Sequence, residues 1–307
     1  MELIQNLEKL KAAPRKPGVS LALGAFDGLH LGHMAVLRAA AAPPYERNWG
    51  VFTFSDRPFG KRALMTAQDR EALLRAAGAA FMAAPAFEEV RTLRAEDFAA
   101  QVLFGACGAK RLCCGEDFRF GKNAAGDVLL LKQLCEQNGA QLTVVPPVKD
   151  GEEKVSSTRI RSAVERGDIA LANRLLGRAF GYTLTVIHGN HLGTGLGAPT
   201  LNQAMPEDLV LPPFGVYASF ARIDGNWHYG VTNIGVKPTV GSDRVLSETW
   251  LPEFSGDLYG KEVKVSLLAF LRAEQKFPSL DALREEIQKN AKEAKEIALQ
   301  TEMGMLK

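Results

Sequence analysis

The sequence predicts an α/β chain of two domains. Residues 1–182 form a doubly wound, mainly parallel sheet, and residues 183–307 form a small antiparallel β-barrel with a closing helix. Three observations carry this expectation. The 307 residues exceed what one ordinary core organises. Strand-like apolar runs alternate with helical patterns through the first half. From about Tyr182 the texture changes to short β-like runs separated by Gly, Pro and Asn.

The N-terminal "MELIQNLEKLKAAPRKPG" places Leu3, Ile4, Leu7 and Leu10 at helical spacing, which predicts a short amphipathic helix. Its acids, Glu2 and Glu8, and its lack of an apolar signal core argue against a secretory or transit peptide. "GVSLALG", "NWGVFTF", "GAAFMAA", "AKRLCCG" and "AQLTVVP" read as strands. "GHMAVLRAAAA", "TAQDREALLRAAG", "RAEDFAAQVLFGA" and "GDVLLLKQLCEQNG" read as the helices between them. In the second half, "TLTVIHG", "FGVYASFARIDG", "NWHYGVTNIG", "VLSETWL" and "KEVKVSLLAFLR" read as antiparallel strands. Ser279 is placed to cap the last helix, in which Leu280, Leu283, Ile287, Ala291 and Ala294 recur at helical spacing.

Composition narrows the function classes. Lys and Arg number 37 against 35 acids, so the net charge of +2 gives no bulk field for nucleic acid. No unbroken apolar window is long enough to span a membrane. Cys107, Cys113, Cys114 and Cys135 form no CxxC pair and read as reduced core thiols, which points to the cytoplasm. The partners expected are small polyanionic molecules held locally.

Where such an anion sits is suggested by "GAFDGLHLGH" at the end of the first predicted strand. Gly24 and Gly28 permit close backbone approach, and a helix starting near Gly32 aims free amides and a positive dipole end at the strand terminus. His30 and His33 are the only histidines before residue 188, and they would bracket an anion there. The plainer reading is a Gly-rich turn with one capping and one packed histidine. A metal pair lacks a third ligand in this half. Further on, Ser156, Ser157 and Thr158 crowd a helix start, with Arg159 and Arg161 following. Capping needs only one hydroxyl, and the surplus suits a polyphosphate. In the second half, Gly193, Gly195 and Gly197 precede "PTLN", whose Thr200 and Asn202 offer the neutral oxygens that a phosphate-bound Mg²⁺ requires.

These segments together resemble the bacterial bifunctional riboflavin kinase/FAD synthetases. "GAFDGLHLGH" is similar to the family's GxFDGxHxGH, "SSTRIR" to SSTxIR, and "GEDFRFGKNAAGD" to VGxDFRFGxxxxGD. "GTGLGAPTLN" is similar to the kinase motif GRxxGxPTxN, with "GVYAS", "TNIGVKPTV" and "SETWL" following in order. The resemblance implies a Rossmann-like nucleotidyltransferase domain that joins FMN to the AMP part of ATP, and a barrel that phosphorylates riboflavin. It implies that His30 and His33 contact ATP phosphates at the reacting centre. Gly24, Phe26, Asp27 and Gly28 line the nucleotide turn, and Ser157, Thr158 and Arg161 hold the polyphosphate. Phe118, Arg119, Phe120 and Asn123 help seat FMN. In the barrel, Glu248 takes the general-base position, where the plainer reading is an exposed strand carboxylate. Mg²⁺ accompanies ATP, and riboflavin, FMN and FAD are the substrates and products.

Two stretches depart from the family pattern. "TFSDRPFG" has Asp56 and Arg57 where TFxPHP has Pro-His, and Thr194 stands where the kinase motif has Arg, with Ala198 before the proline. Thr194 leaves open a chain that makes only FAD, with a barrel that binds flavin without turnover. A non-catalytic flavin or nucleotide sensor is the further alternative.

Overall fold

The computed structural model describes residues 1–56, 60–188, 200–239 and 242–301. The chain divides into two units, Met1–Lys61 with Ala67–Ser156, and Arg62–Thr66 with Ser157–Lys307. Residue 182, where the texture of the sequence changes, lies inside the second.

The first unit contains β1 (Glu2–Ile4), α1 (Leu7–Ala12), β2 (Val19–Leu23), α2 (Leu31–Ala41), β3 (Trp49–Phe52), α3 (Ala67–Ala76) and β4 (Phe81–Ala83). It continues with α4 (Ala95–Phe98), β5 (Ala109–Gly115), α5 (Val128–Gln137), β6 (Gln141–Val145) and the small hairpin β7 (Lys149–Asp150) and β8 (Glu153–Lys154). Residues Ala99–Ala106 extend α4 as a π-helical segment. Six strands pair in parallel in the order β1-β4-β3-β2-β5-β6. Every residue of β2 and β3 is buried, as strands covered on both faces require. Gly50 in β3 lets the sheet close, because a Cβ there would stand 2.2 Å from the Phe81 ring.

The buried Arg111 of β5 ties the sheet to α2. Its guanidinium donates to Ser20 Oγ at 3.0 Å and to the Ala40 carbonyl at 2.8 Å, completing orphan groups at the helix end. The four cysteines are buried free thiols, as the sequence predicts. Burial pushes Cys107 and Cys114 up to about 12.

The N-terminus corrects one expectation. Residues 2–4 are a strand, and only Leu7–Ala12 is helical. Asn6 starts that helix by accepting the Lys9 amide at 3.0 Å. The residues before it instead satisfy the open edge of β4, with Glu2 N–H donating to Ala80 and the Ile4 carbonyl accepting from Ala84.

The second unit contains α6 (Ser157–Glu165), α7 (Ile169–Leu176), β9 (Phe180–Thr185), β10 (Thr200–Ala204), β11 (Gly215–Ile223), β12 (Asn226–Thr239), β13 (Ser242–Trp250), β14 (Glu262–Arg272) and α8 (Leu280–Gln300). Its strands form a curled antiparallel sheet in the order β10-β13-β12-β11-β14-β9. The two edges meet where Ile187 N–H donates to the Asn202 carbonyl at 2.8 Å. Buried Gln203 reinforces the curl, donating to the Leu184 and Val263 carbonyls at 2.7 Å each. Around Tyr182, Gln203, Ile234, Ser247 and Val265 lies a cavity of about 20 Å³, room for a single water and far too small for a flavin ring.

Ser279 caps α8 by accepting the Ala282 amide, as predicted. Ala291 and Ala294 are buried, whereas Leu280, at the same helical spacing, is 64% exposed. Leu280 stands in the first turn, ahead of the stretch that reaches the sheet. No helix among the described residues is long and apolar enough to cross a membrane.

Candidate active sites

In the first unit, the order β3-β2-β5 sets the site. The chain leaves β2 toward β3 on one side, while β5 lies on the other, so the carboxyl ends of β2 and β5 flank the point where strand order reverses. Residues 24–33 leave the end of β2, and residues 116–127 leave the end of β5. The topology thus brings two of the sequence motifs to one crevice.

The β2 turn is tightly wound. Phe26, Gly28 and Leu29 all have positive φ, at 50°, 82° and 39°, although two of them carry side chains. Such backbone persists only where packing enforces it, and Phe26 and Leu29 are both fully buried. A Cβ on Gly24 would press on the Phe26 ring at 3.2 Å. His30 is the N-cap of α2, its Nδ1 accepting the His33 amide at 3.3 Å. With Nδ1 accepting, the proton of that ring sits on Nε2. The two imidazoles stack, with centroids 3.7 Å apart and planes at 17°, so they form one double layer at the helix start. Phe26 supports the outer ring at 5.2 Å. Asp27 lies half-buried in the same turn.

The β5 loop closes on itself through a bridge between Phe120 and Gly126. Phe118 and Phe120 stack at 5.8 Å, and Phe120 continues to Phe98 in the core. Phe120 is therefore a buried anchor, while Phe118 is half-buried and Arg119 and Asn123 are exposed. Asn123 holds φ at 57°, in the left-handed region. Asp127 caps α5 and stands 3.6 Å from Arg119. Asp117 binds Lys154 at 2.7 Å. That hydrogen bond holds its carboxyl below the usual range, and the nearby His30 adds a smaller pull in the same direction.

The departure at Asp56 has a local role. Its Oδ1 accepts the Phe87 amide at 2.7 Å, fixing the turn after β4. Arg57 lies outside the described residues.

Ser157, Thr158 and Arg161 belong to the second unit, in α6. The helix starts at Ser157, with Ser157 and Arg161 half-buried and Thr158 exposed. Arg161 Nε donates to the Arg62 carbonyl at 2.8 Å, which aligns its guanidinium.

The barrel site is set by register. Asn202 of β10 lies opposite Glu248 of β13, and Glu248 lies opposite Asn233 of β12. Directly opposed residues project to one face, so the three side chains form a row across three strands. Thr200, two residues before Asn202, shares that face. Asn202 is 4% exposed, and its Nδ2 donates to the Thr200 carbonyl at 3.2 Å. Its Oδ1 is buried and meets no donor among the described residues. An orphaned neutral oxygen beside a half-buried carboxylate fits a hard cation such as Mg²⁺. Gly193, Thr194, Gly195, Gly197 and Ala198 lie outside the described residues. Asn233 enters the row without having been singled out in the sequence, because cross-strand register is not written in any local motif.

Comparison with known proteins agrees with this division. Residues 12–159 match the family model for FAD synthetase, and residues 176–298 match that for riboflavin kinase. The bifunctional riboflavin kinase/FMN adenylyltransferase of Escherichia coli K12 is 34% identical, covering 96% of this chain and 97% of its own. That of Bacillus subtilis is 32% identical, covering 89% and 90%. A crystal structure described as a macrolide-efflux protein from Streptococcus pneumoniae is 28% identical with a TM-score of 0.84, covering 95% of this chain and 98% of that one. With both halves matched in order and relatives alike over nearly the whole length, the chain belongs to the bifunctional riboflavin kinase/FMN adenylyltransferase family.

Proposed function

We propose that the chain makes FMN from riboflavin at the β10-β13-β12 row and FAD from FMN at the β2–β5 crevice, drawing on ATP for both. The carrying observation is the full-length identity to bifunctional relatives, with the two family models in tandem. The enzyme is a transferase of small molecules. Its four buried free thiols suit the cytoplasm, where thiols stay reduced. The likeness to the protein described by efflux carries the fold alone.

In the adenylylation, an oxygen of the FMN phosphate attacks the α-phosphorus of ATP, and the bond to the β-phosphate oxygen breaks to release pyrophosphate. The second pKa of such a phosphate is about 6, so the nucleophile is already ionised and needs no base. The protein's task is alignment and charge neutralisation. Gly24 and Gly28 let the backbone approach the nucleotide in the turn that also holds Phe26 and Asp27. The start of α2, with its positive dipole end and the His30 imidazole, supplies charge stabilisation for the phosphates, with His33 stacked beside it. Ser157, Thr158 and Arg161 hold the polyphosphate. Phe118, Arg119 and Asn123 face FMN on the partner loop, and Phe120 anchors that loop.

In the phosphorylation, the nucleophile is the terminal ribityl hydroxyl, a far weaker acid, and Glu248 takes its proton. Asn202 Oδ1 and the Thr200 hydroxyl would hold the Mg²⁺ of MgATP, which would supply positive charge against the phosphates. The glycines between residues 193 and 197 cradle those phosphates.

Riboflavin and MgATP incubated with the purified chain should yield FMN and then FAD by chromatography. Adenylylation of FMN without any phosphorylation of riboflavin would reduce the chain to a single activity. Neither product would leave only a binding protein.

A further inference from the structure

The row across β10, β13 and β12 has a second flank. Asn233 lies opposite Glu248 on the side away from Asn202. Its Nδ2 donates to Glu274 Oε1 at 3.2 Å, which fixes which way the amide is turned. Its Oδ1 is then an acceptor, buried and meeting no donor among the described residues. A buried acceptor with nothing to accept is costly, and it implies a donor supplied from outside the chain. The arrangement also depends on Gly235, two residues along the same face. A Cβ there would stand 2.3 Å from Glu274 Oε1, so only glycine admits the carboxylate that holds the amide.

Two orphaned amide oxygens flank one carboxylate, one on each strand beside it. Neighbouring strands lie about 4.8 Å apart, so Asn202 and Asn233 are separated by roughly 9–10 Å at the backbone. Asn233 therefore stands one strand beyond Glu248 from the Thr200–Asn202 pair. With its Nδ2 already given to Glu274, what the amide of Asn233 leaves open is an acceptor, which a hydrogen-bond donor would fill. The substrate that must reach Glu248 carries a polyol chain, whose hydroxyls donate readily.

We propose that Asn233 Oδ1 accepts a hydrogen bond from a ribityl hydroxyl of riboflavin, aiming the chain's end at Glu248. Glu274 is the positioning residue that keeps the amide turned for this purpose. Cation and phosphates lie on the Asn202 side of Glu248, and the polyol lies on the Asn233 side. The inference rests on the kinase site and base assigned above.

The test uses the full chain and follows the kinase reaction. Lumiflavin, which has the flavin ring without the polyol, serves as competitor and reports ring binding alone. Asn233→Ala should raise the KM for riboflavin about tenfold while leaving the lumiflavin inhibition constant and the KM for ATP within twofold. Gly235→Ala displaces Glu274 without removing any charge and should shift the riboflavin KM in the same direction. Glu274→Gln should add little once Asn233 is already Ala, because it acts through that amide. Riboflavin and lumiflavin weakened equally, or neither weakened, would overturn the proposal. The base assignment is read separately from kcat in Glu248→Gln. If that variant keeps its kcat, the base reading fails, while the contrast between riboflavin and lumiflavin still decides the polyol contact.

Discussion

The ring of His30 lies 3.7 Å from that of His33 and nearly parallel to it, while its Nδ1 accepts the amide of the same residue. One histidine thus caps α2 and the other is presented by it. Cap and imidazole are separable by substitution. His33→Ala should lose most FMN adenylylation and keep riboflavin phosphorylation, both measured by product chromatography. His30→Ala should also lower stability by about 1 kcal/mol, the usual cost of a missing N-cap. His30→Asn keeps a capping oxygen, so its unfolding midpoint should return toward the parent while FAD synthesis stays low.

Glu248 stands between two amides on a sheet face, and the base role proposed for it concerns the phosphorylation alone. Glu248→Gln preserves shape and should cut the kinase rate by about 10²–10⁴, the range for a lost general base. Adenylylation of supplied FMN should remain within twofold. Parallel loss of both activities in a folded variant would contradict the assignment.

The thiols give a readout of the first unit's core. Burial raises Cys107 and Cys114 to about 12 and Cys135 to about 11, so all three stay protonated at neutral pH. A disulfide reagent should therefore find almost no reactive thiol in the native protein and four in denaturant. Folded values above the unfolded ones mean that this contribution to stability is intact below about pH 9 and declines as pH rises toward 12. Denaturant midpoints at pH 8 and pH 10 measure it.

Gly50→Ala should destabilise by about 1–3 kcal/mol or more, because the added methyl meets the Phe81 ring within the sheet. Thermal unfolding checks this. Gly151→Ala meets no neighbour within 4 Å, although its φ of 64° strains any side chain, and it should cost less.

Much of this architecture was legible in the linear chain because central parallel strands are continuous apolar runs. "GVSLALG" and "NWGVFTF" needed no context to be read. The strand at residues 2–4 was not legible. Leu3 and Ile4 fit the helical spacing of Leu7 and Leu10, and only the open edge of β4, about eighty residues away, makes them a strand. The motifs at residues 24–33 and 116–127 were visible one by one, but their meeting at the β2–β5 crevice depends on strand order. The row from Asn202 to Asn233 is likewise a product of non-local register. Stacking of the two histidines was hidden for a different reason. The sequence places them three apart, but only the cap geometry of His30 turns its ring onto His33.

The five residues Arg62–Thr66 belong to the second unit although almost a hundred positions separate them from the rest of it. Ala63 N–H donates to the Asp208 carbonyl, Val210 N–H donates to the Ala63 carbonyl, and Arg161 Nε donates to the Arg62 carbonyl. Excising a fragment that begins at Ser157 would strip all three of those partners at once, one of them from the backbone of a completely buried valine. The kinase half is thus stitched by a thread spun in the other half of the gene, and dissecting the polypeptide at one cut breaks that stitch.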